Sequence, residues 1–244
     1  MVFKKFDHPI PFVEINQIPG EKTHEGIFSI IEKWKYREII VAEISVDEIR
    51  KHNNLYCDNV INFHGITVFP DETKCLIMNY EANGNLHDYL ANNQLKWDPK
   101  LKMSSDIAAG LLHCHDHEII HLNINSKNIL VDKNFELKIA GFGYLTNGES
   151  ETTRWAVPED SEMKTRILNT VRWAAPEIFS KDPVMKKHYK ENPKLSDIYS
   201  YGLVVWEIAM NGIEPYRDME IDEIKDSKVS GNISDKLEIG KPST

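Results

Sequence analysis

The sequence predicts an α+β chain with a β-rich beginning and a larger helical remainder. Three observations carry that expectation. Residues 11–80 hold short apolar, β-branched runs, "GIFSIIEKW", "REIIVAEIS" and "KCLIMNYE", with charged residues between them, as half-buried strands require. After "EANGNL" the apolar residues move to helical spacing in "LHDYLANN" and "PKLKMSSDIAAGLLHCHDHE". A third stretch, "SDIYSYGLVVWEIAM", is apolar on most sides, the pattern of a buried helix.

The elements follow in order. "SVDEIRKHNNLY" reads as a short helix, with Ser45 able to cap and Glu48 three positions on. Pro99 suits the first turn of the long helix, where its missing N–H costs nothing. "NILVD" and "ELKIAGF" read as two strands joined by a turn at Lys133-Asn134. A long polar segment runs from Gly143 to about Trp173. Ser196 or Asp197 is expected near the cap of the buried helix. The tail after Gly212 is polar and charged and is expected to be partly loose.

Composition narrows the function classes. The 244 residues allow one large domain or two lobes sharing a cleft. A net charge of −9 argues against a nucleic-acid partner, which needs a basic face; the short run Lys186-Lys187-His188 reads as a solvated loop. Cys57, Cys75 and Cys114 are too few and scattered for a disulfide framework, which favours a reducing cytoplasmic or nuclear compartment. The opening "MVFKKFDHPIPFVEI" lacks a signal-peptide core. "YGLVVWEIAM" holds a Glu and is too short to span a bilayer, so no membrane segment is expected.

Five stretches, in order, resemble the protein kinase domain, and within it the tyrosine-kinase-like group. "LIMNYEANGNLHDYL" resembles the fifth strand, hinge and following helix; "IIHLNINSKNILVD" the catalytic loop; "LKIAGFG" the metal-binding strand and turn; "VRWAAPEIF" the end of the activation segment; "SDIYSYGLVVWEI" the central helix of the large lobe. The resemblance implies a bilobal protein-kinase-like fold over residues 11–240. Its N-lobe would cover about 11–80, its hinge 79–84 and its C-lobe about 85–240. It implies Met78 as gatekeeper and Asn79, Tyr80 and Glu81 as the hinge that would meet adenine. His121 and Phe142 would stack in the column joining the lobes, and Asp197 would hold the catalytic-loop backbone. Glu177, in "APE", would pair with an Arg further along. The later helices that bring that Arg are not found before Thr244, so the C-lobe is expected to be truncated and Glu177 to lack its partner.

Against that pattern the chemistry is depleted. Asn123 stands at the position of the catalytic base, and a carboxamide cannot take a proton. General-base help is worth roughly 100- to 10,000-fold. Asn125 replaces the loop lysine, and Leu122 an arginine that receives activation-segment phosphate. Gly141 replaces the Asp of the metal-binding turn. Asn128 remains as one oxygen ligand, so Mg²⁺, which prefers carboxylates and phosphate oxygens, would be held weakly through Asn128 or not at all. The small-lobe lysine position holds Glu43 or Ile44, depending on register, and Glu48 then has no lysine to hold. In "PGEKTHEGIF", Gly20 and Gly26 lack the middle glycine of a phosphate-wrapping loop.

Four losses together imply a catalytically impaired pseudokinase with weak or no ATP binding. It would serve other signalling proteins as a scaffold or allosteric partner. In its glycine-bearing turn and acid-free loop it is similar to the mixed-lineage kinase domain-like pseudokinases. The rival is an active, atypical Ser/Thr or Tyr kinase transferring the ATP γ-phosphate, with Lys127 or Asp132 recruited. Lys127 is expected on the surface, however, and Asp132 at the end of a strand. A third possibility is a fragment that does not fold alone.

Other residues have plainer readings. "HCHDH", His113 to His117, has metal-like spacing, but the resemblance makes it the end of the long helix. Asp106 and Asp116 are expected on separate turns facing solvent, and Cys114 in the core. Thr146, Ser150, Thr152, Thr153, Ser161 and Thr165 read as a polar loop before phosphorylation sites, with Arg154, Arg166 and Arg172 as alternative phosphate receivers. Trp155 is expected to dock on the large lobe.

Overall fold

A computed structural model of the chain describes residues 56–68, 74–142 and 170–231, with the backbone of five short strands between residues 16 and 40. Those strands are β1 (Asn16–Gln17), β2 (His24–Glu25), β3 (Ile30–Ile31), β4 (Trp34–Tyr36) and β5 (Ile39–Ile40). β1, β4 and β5 form one antiparallel sheet, and β2 pairs with β3. Two longer strands follow, β6 (Phe63–Val68) and β7 (Lys74–Met78), paired antiparallel with a register shift between Phe63 and Gly65. The β-rich beginning is therefore present, in shorter strands than the sequence runs suggest. Ser45, Glu48, Glu43, Ile44, Gly20 and Gly26 lie outside the described residues, as do residues 143–169 with their Ser, Thr, Arg154, Arg166 and Trp155.

The helical part begins at α1 (Leu86–Asn92), capped by the Asn85 side chain, which accepts from the Asp88 amide. α2 (Trp97–Asp116) carries Pro99 in its first turn and buries Met103, Ile107, Leu111 and Cys114. β8 (Ile129–Val131) and β9 (Leu137–Ile139) pair antiparallel about the Lys133-Asn134 turn. Asp132 holds that turn: its Oδ1 accepts from the Asn134 and Glu136 amides at 2.7 and 2.9 Å. The Cys114 thiol is fully buried, and burial pushes its pKa up to about 12. Asp106 does not face solvent as expected. It accepts from the Leu137 amide and from Lys102, tying α2 to β9.

Three further helices complete the described residues: α3 (Pro183–Glu191), α4 (Lys194–Ala209) and α5 (Ile221–Ser230). Lys186, Lys187 and His188 are exposed but helical, in α3, not in a loop. The Asp182 cap and Pro183 at the first position are what start that helix. Ser196 and Asp197 lie inside the first turn of α4 and do not cap it; both are turned inward and buried. The tail after Gly212 is not loose over its described part. α5 starts in a Glu220/Glu223 capping box, ends at Gly231 with φ 77°, and buries Ile221 and Ile224 in the core. That core joins α1, α2, β8, β9, α4 and α5 through Leu86, Ile107, Ile129, Ile139, Val204 and Ile224.

Candidate active site

The segment between α2 and β8 is built by hydrogen bonds from three directions. Asp197, buried in α4, accepts from the His121 amide at 2.9 Å and the Leu122 amide at 2.6 Å. Its Oδ2 also meets His115 Nε2 at 2.8 Å. The loop needs that grip, because Leu122 has φ 56°, a left-handed conformation costly for a residue with a Cβ. His121 donates from Nε2 to the Ala140 carbonyl at 2.9 Å, and its Nδ1 accepts from the Asn123 amide at 3.2 Å. A carbonyl can only accept, so Nε2 carries the proton and Nδ1 is the acceptor. The His121 ring lies 4.4 Å from that of Phe142, tilted by 49°.

Three carboxamides occupy the centre. Asn125 caps the 3₁₀ turn Ser126–Asn128: its Oδ1 accepts from the Lys127 and Asn128 amides at 3.0 and 3.1 Å. Its Nδ2 donates to the Asn123 carbonyl at 3.0 Å and to Asn123 Oδ1 at 3.2 Å. Asn128 Nδ2 donates to the same Asn123 carbonyl at 2.9 Å. Asn123 and Asn125 are 4% and 1% exposed, so most of this network is shut away from water, with Asn128 half-buried at its edge.

Gly141 faces it with φ 73°. A Cβ built there would stand 2.5 Å from both Cγ and Oδ1 of Asn128. The Asn128 side chain thus fills the space that a side chain at 141 would need. These residues do not fit a Mg²⁺ ion. The site offers one amide oxygen and no carboxylate among the described residues at the loop and turn, where Mg²⁺ requires hard, anionic oxygens. Gly141→Ala should cost about 1–2 kcal/mol from the backbone conformation alone, more if Asn128 must swing away. Urea unfolding of the variant measures this, and an unchanged midpoint would contradict the packing described.

Beneath the loop lies a second network that the motifs do not reveal. Glu207 of α4 is fully buried; it accepts from Ser126 Oγ at 2.8 Å and Trp173 Nε1 at 3.1 Å, and lies 3.3 Å from His87 Nδ1. Burial raises the Glu207 pKa, and the hydrogen bond to Glu207 raises that of His87. The one acid inside "YGLVVWEIAM" is the available signal: a charge in an apolar helix has to be bonded. Lys127 does not stand out on the surface as expected. Its Nζ is 3.6 Å from Glu214.

At the hinge, Met78 is buried, and the Asn79 amide donates to the Asn62 carbonyl at 3.0 Å. Tyr80 is half-buried. Glu81 is 8% exposed, and its Oε1 is buried with no hydrogen-bond partner. Its carbonyl accepts from the Gly84 amide, and Gly84 and Asn83 are bonded to Val131 of β8, which fixes the hinge to the helical part.

Glu177 is bonded to a hydroxyl where the resemblance had an arginine: its Oε1 accepts from Ser196 Oγ at 2.8 Å. Arg172, considered as a phosphate receiver, is buried and donates to the carbonyls of Pro215, Tyr216 and Arg217. Lys228 of α5 answers it, donating to the carbonyls of Val171, Arg172 and Ala174 at 3.1, 2.9 and 2.5 Å. In "HCHDH", His115 is taken by Asp197 and the rings of His113 and His117 stack 4.3 Å apart. Among the described residues no group of three His, Cys, Asp or Glu could hold a metal ion, and no helix is long and apolar enough to cross a membrane.

A small-sheet part and a helical part joined by a hinge, with a catalytic-type loop held by an aspartate of the central helix, define a protein kinase domain. The chain belongs to the protein tyrosine and serine/threonine kinase family, whose model matches residues 35–239. It is 31% identical to mitogen-activated protein kinase kinase kinase 13 of Mus musculus over 96% of this chain and 22% of the relative. A putative serine/threonine-protein kinase/receptor of Acanthamoeba polyphaga mimivirus is 30% identical over 95% of the chain and 14% of its own length. A probable serine/threonine-protein kinase of Dictyostelium discoideum is 31% identical over 76% and 13%. The chain therefore spans about a fifth or less of the length of these relatives. Kinase domains of this family in general use ATP and Mg²⁺.

Proposed function

We propose that this domain, residues 11–240 in two lobes, is a catalytically impaired pseudokinase with weak or no ATP binding. It acts in the cytoplasm as a scaffold or allosteric partner for other signalling proteins. The observation that carries this reading is the carboxamide network. Asn123, Asn125 and Asn128 stand where transfer needs a base, a cation and a metal ligand, and they spend their polar groups largely on each other and on the loop backbone. These bonds would have to be given up before the loop could turn the same groups toward a phosphate. What it retains is shape, held by Asp197, His121 and Phe142.

The second reading, an active atypical Ser/Thr or Tyr kinase, is favoured by the names of the relatives, all kinases. It asks Asp132 or Lys127 to substitute, and both are engaged elsewhere, in the β8–β9 turn and with Glu214. A thermal-shift titration with ATP, with and without Mg²⁺, separates the two. Occupancy at one hundred times Kd would add about 2.7 kcal/mol of stability. The expected result is no increment from Mg²⁺ and no radiolabel transfer to generic substrates. A magnesium-dependent shift, with transfer that disappears in Asn128→Ala, would establish the second reading.

A further inference from the structure

α1, the start of α2 and the β8–β9 turn surround a pocket of about 470 Å³ that shares no residue with the catalytic-type loop. That volume falls within the roughly 300–1,000 Å³ of small-molecule sites. Its apolar walls are Tyr89 of α1, Leu95 between the helices, Pro99 and Met103 of α2, and Phe135 of the turn. Met103 is 2% exposed and belongs to the core, against which Tyr89 and Leu95 also pack. Phe135 is 52% exposed, and the turn holds it at φ 63°, a conformation costly for a residue with a Cβ. Its ring lies 6.1 Å from that of Tyr89, tilted by 48°. Two aromatic rings beside an apolar wall attract a cation that carries apolar substituents.

The charged groups of the lining point to the same sign. Asp98, exposed in the first turn of α2, lines the pocket, and its carboxylate has no hydrogen bond or ion pair among the described residues. Lys102 also lines it, but its Nζ is held by Asp106 at 2.8 Å and lies 3.9 Å from Glu136. An anionic guest would have to draw Lys102 from Asp106 and would face Asp98. A cationic guest meets a carboxylate that is already free. The net charge of −9 favours cations in the same way.

We infer that this pocket binds a small organic ammonium ion, its apolar body against Met103 and Leu95 and its charge between Asp98 and the rings of Tyr89 and Phe135. Methionine-methyl NMR of the full chain tests this, with the Met103 signal assigned through Met103→Leu. Three probes of similar shape are titrated: phenethylammonium, the neutral phenethyl alcohol and the anionic hydrocinnamate. The expected result is a saturable movement of the Met103 methyl with phenethylammonium in the millimolar range, weaker with the alcohol and absent with hydrocinnamate. Asp98→Asn should weaken phenethylammonium about three- to fivefold, the scale of a partly exposed ion pair, and leave the alcohol unchanged. Phe135→Leu keeps an apolar side chain and removes the ring; it should weaken the ammonium about threefold. Far-UV circular dichroism confirms that both variants are folded. Equal binding of the ammonium and the alcohol, or an Asp98→Asn variant that binds the ammonium as the parent does, would overturn the proposal. Tighter binding of hydrocinnamate would overturn it in favour of an anion site at Lys102. A Met103 methyl that none of the probes moves would mean that the pocket takes no ligand of this kind.

Discussion

Replacing Asp197 by alanine should lower stability by about 3–5 kcal/mol, the scale for removing one partner of a buried, bonded charge. The carboxylate has no exposed surface and serves three partners at once: the His121 and Leu122 amides and His115 Nε2. Alanine would leave two amides unpaired in a dry site, each costing about 1–3 kcal/mol. It would also remove a bond that holds Leu122 in its left-handed conformation. The milder change Asp197→Asn keeps an acceptor in the same place and should lose less. Urea unfolding followed by tryptophan fluorescence measures both variants. A loss under about 1 kcal/mol for Asp197→Ala, below the range for one unpaired buried amide, would mean the loop does not depend on α4. Under the proposed scaffold function the result matters, because such a scaffold still has to present a defined loop surface.

Glu81 should make the domain less stable as pH rises from about 4.5 to 7. Burial pushes its carboxyl pKa up from 4.5 to about 7; Asp132 adds to the rise, and Lys138 and Lys133 oppose it. The ordinary value near 4.5 applies when the chain is unfolded. Between the two values the folded state holds a proton that the unfolded state has released, so raising pH favours unfolding. The penalty is absent below about 4.5 and fully present above about 7. At about 1.36 kcal/mol per pKa unit it approaches about 3 kcal/mol at its ceiling. Glu81→Gln removes the ionisation and keeps the shape. It should therefore flatten this part of the stability–pH profile and raise the melting temperature at mildly alkaline pH. A variant with the same slope as the parent would place the effect on another group. Asp132 and Lys138 already bond each other and the surrounding backbone, so neither is a ready partner for the bare Oε1 of Glu81.

Much of this molecule is legible from its residues in order. Strand runs, helical spacing and five motif stretches are local patterns, and local patterns survive in a one-dimensional reading. Lys186 to His188 and the segment after Gly212 depart from expectation for the same reason: α3 and α5 are short and largely polar, so neither carries an apolar run long enough to announce a helix. Their caps, Asp182-Pro183 and Glu220 with Glu223, are the stronger signals.

The sequence by itself determined which chemical groups are missing: no carboxylate at Asn123 or Gly141, no cation at Asn125. Composition at a position is fixed before folding. Only the tertiary structure decided what replaced them. Asn128 turns to the Asn123 carbonyl and fills the space beside Gly141; Ser196 takes Glu177; Arg172 and Lys228 lock opposite segments through backbone carbonyls. Most of these pairings join residues far apart along the chain. They exist because a polar group shut away from water must bond whatever the fold brings within about 3 Å, and no reading along the chain can say which atom that is.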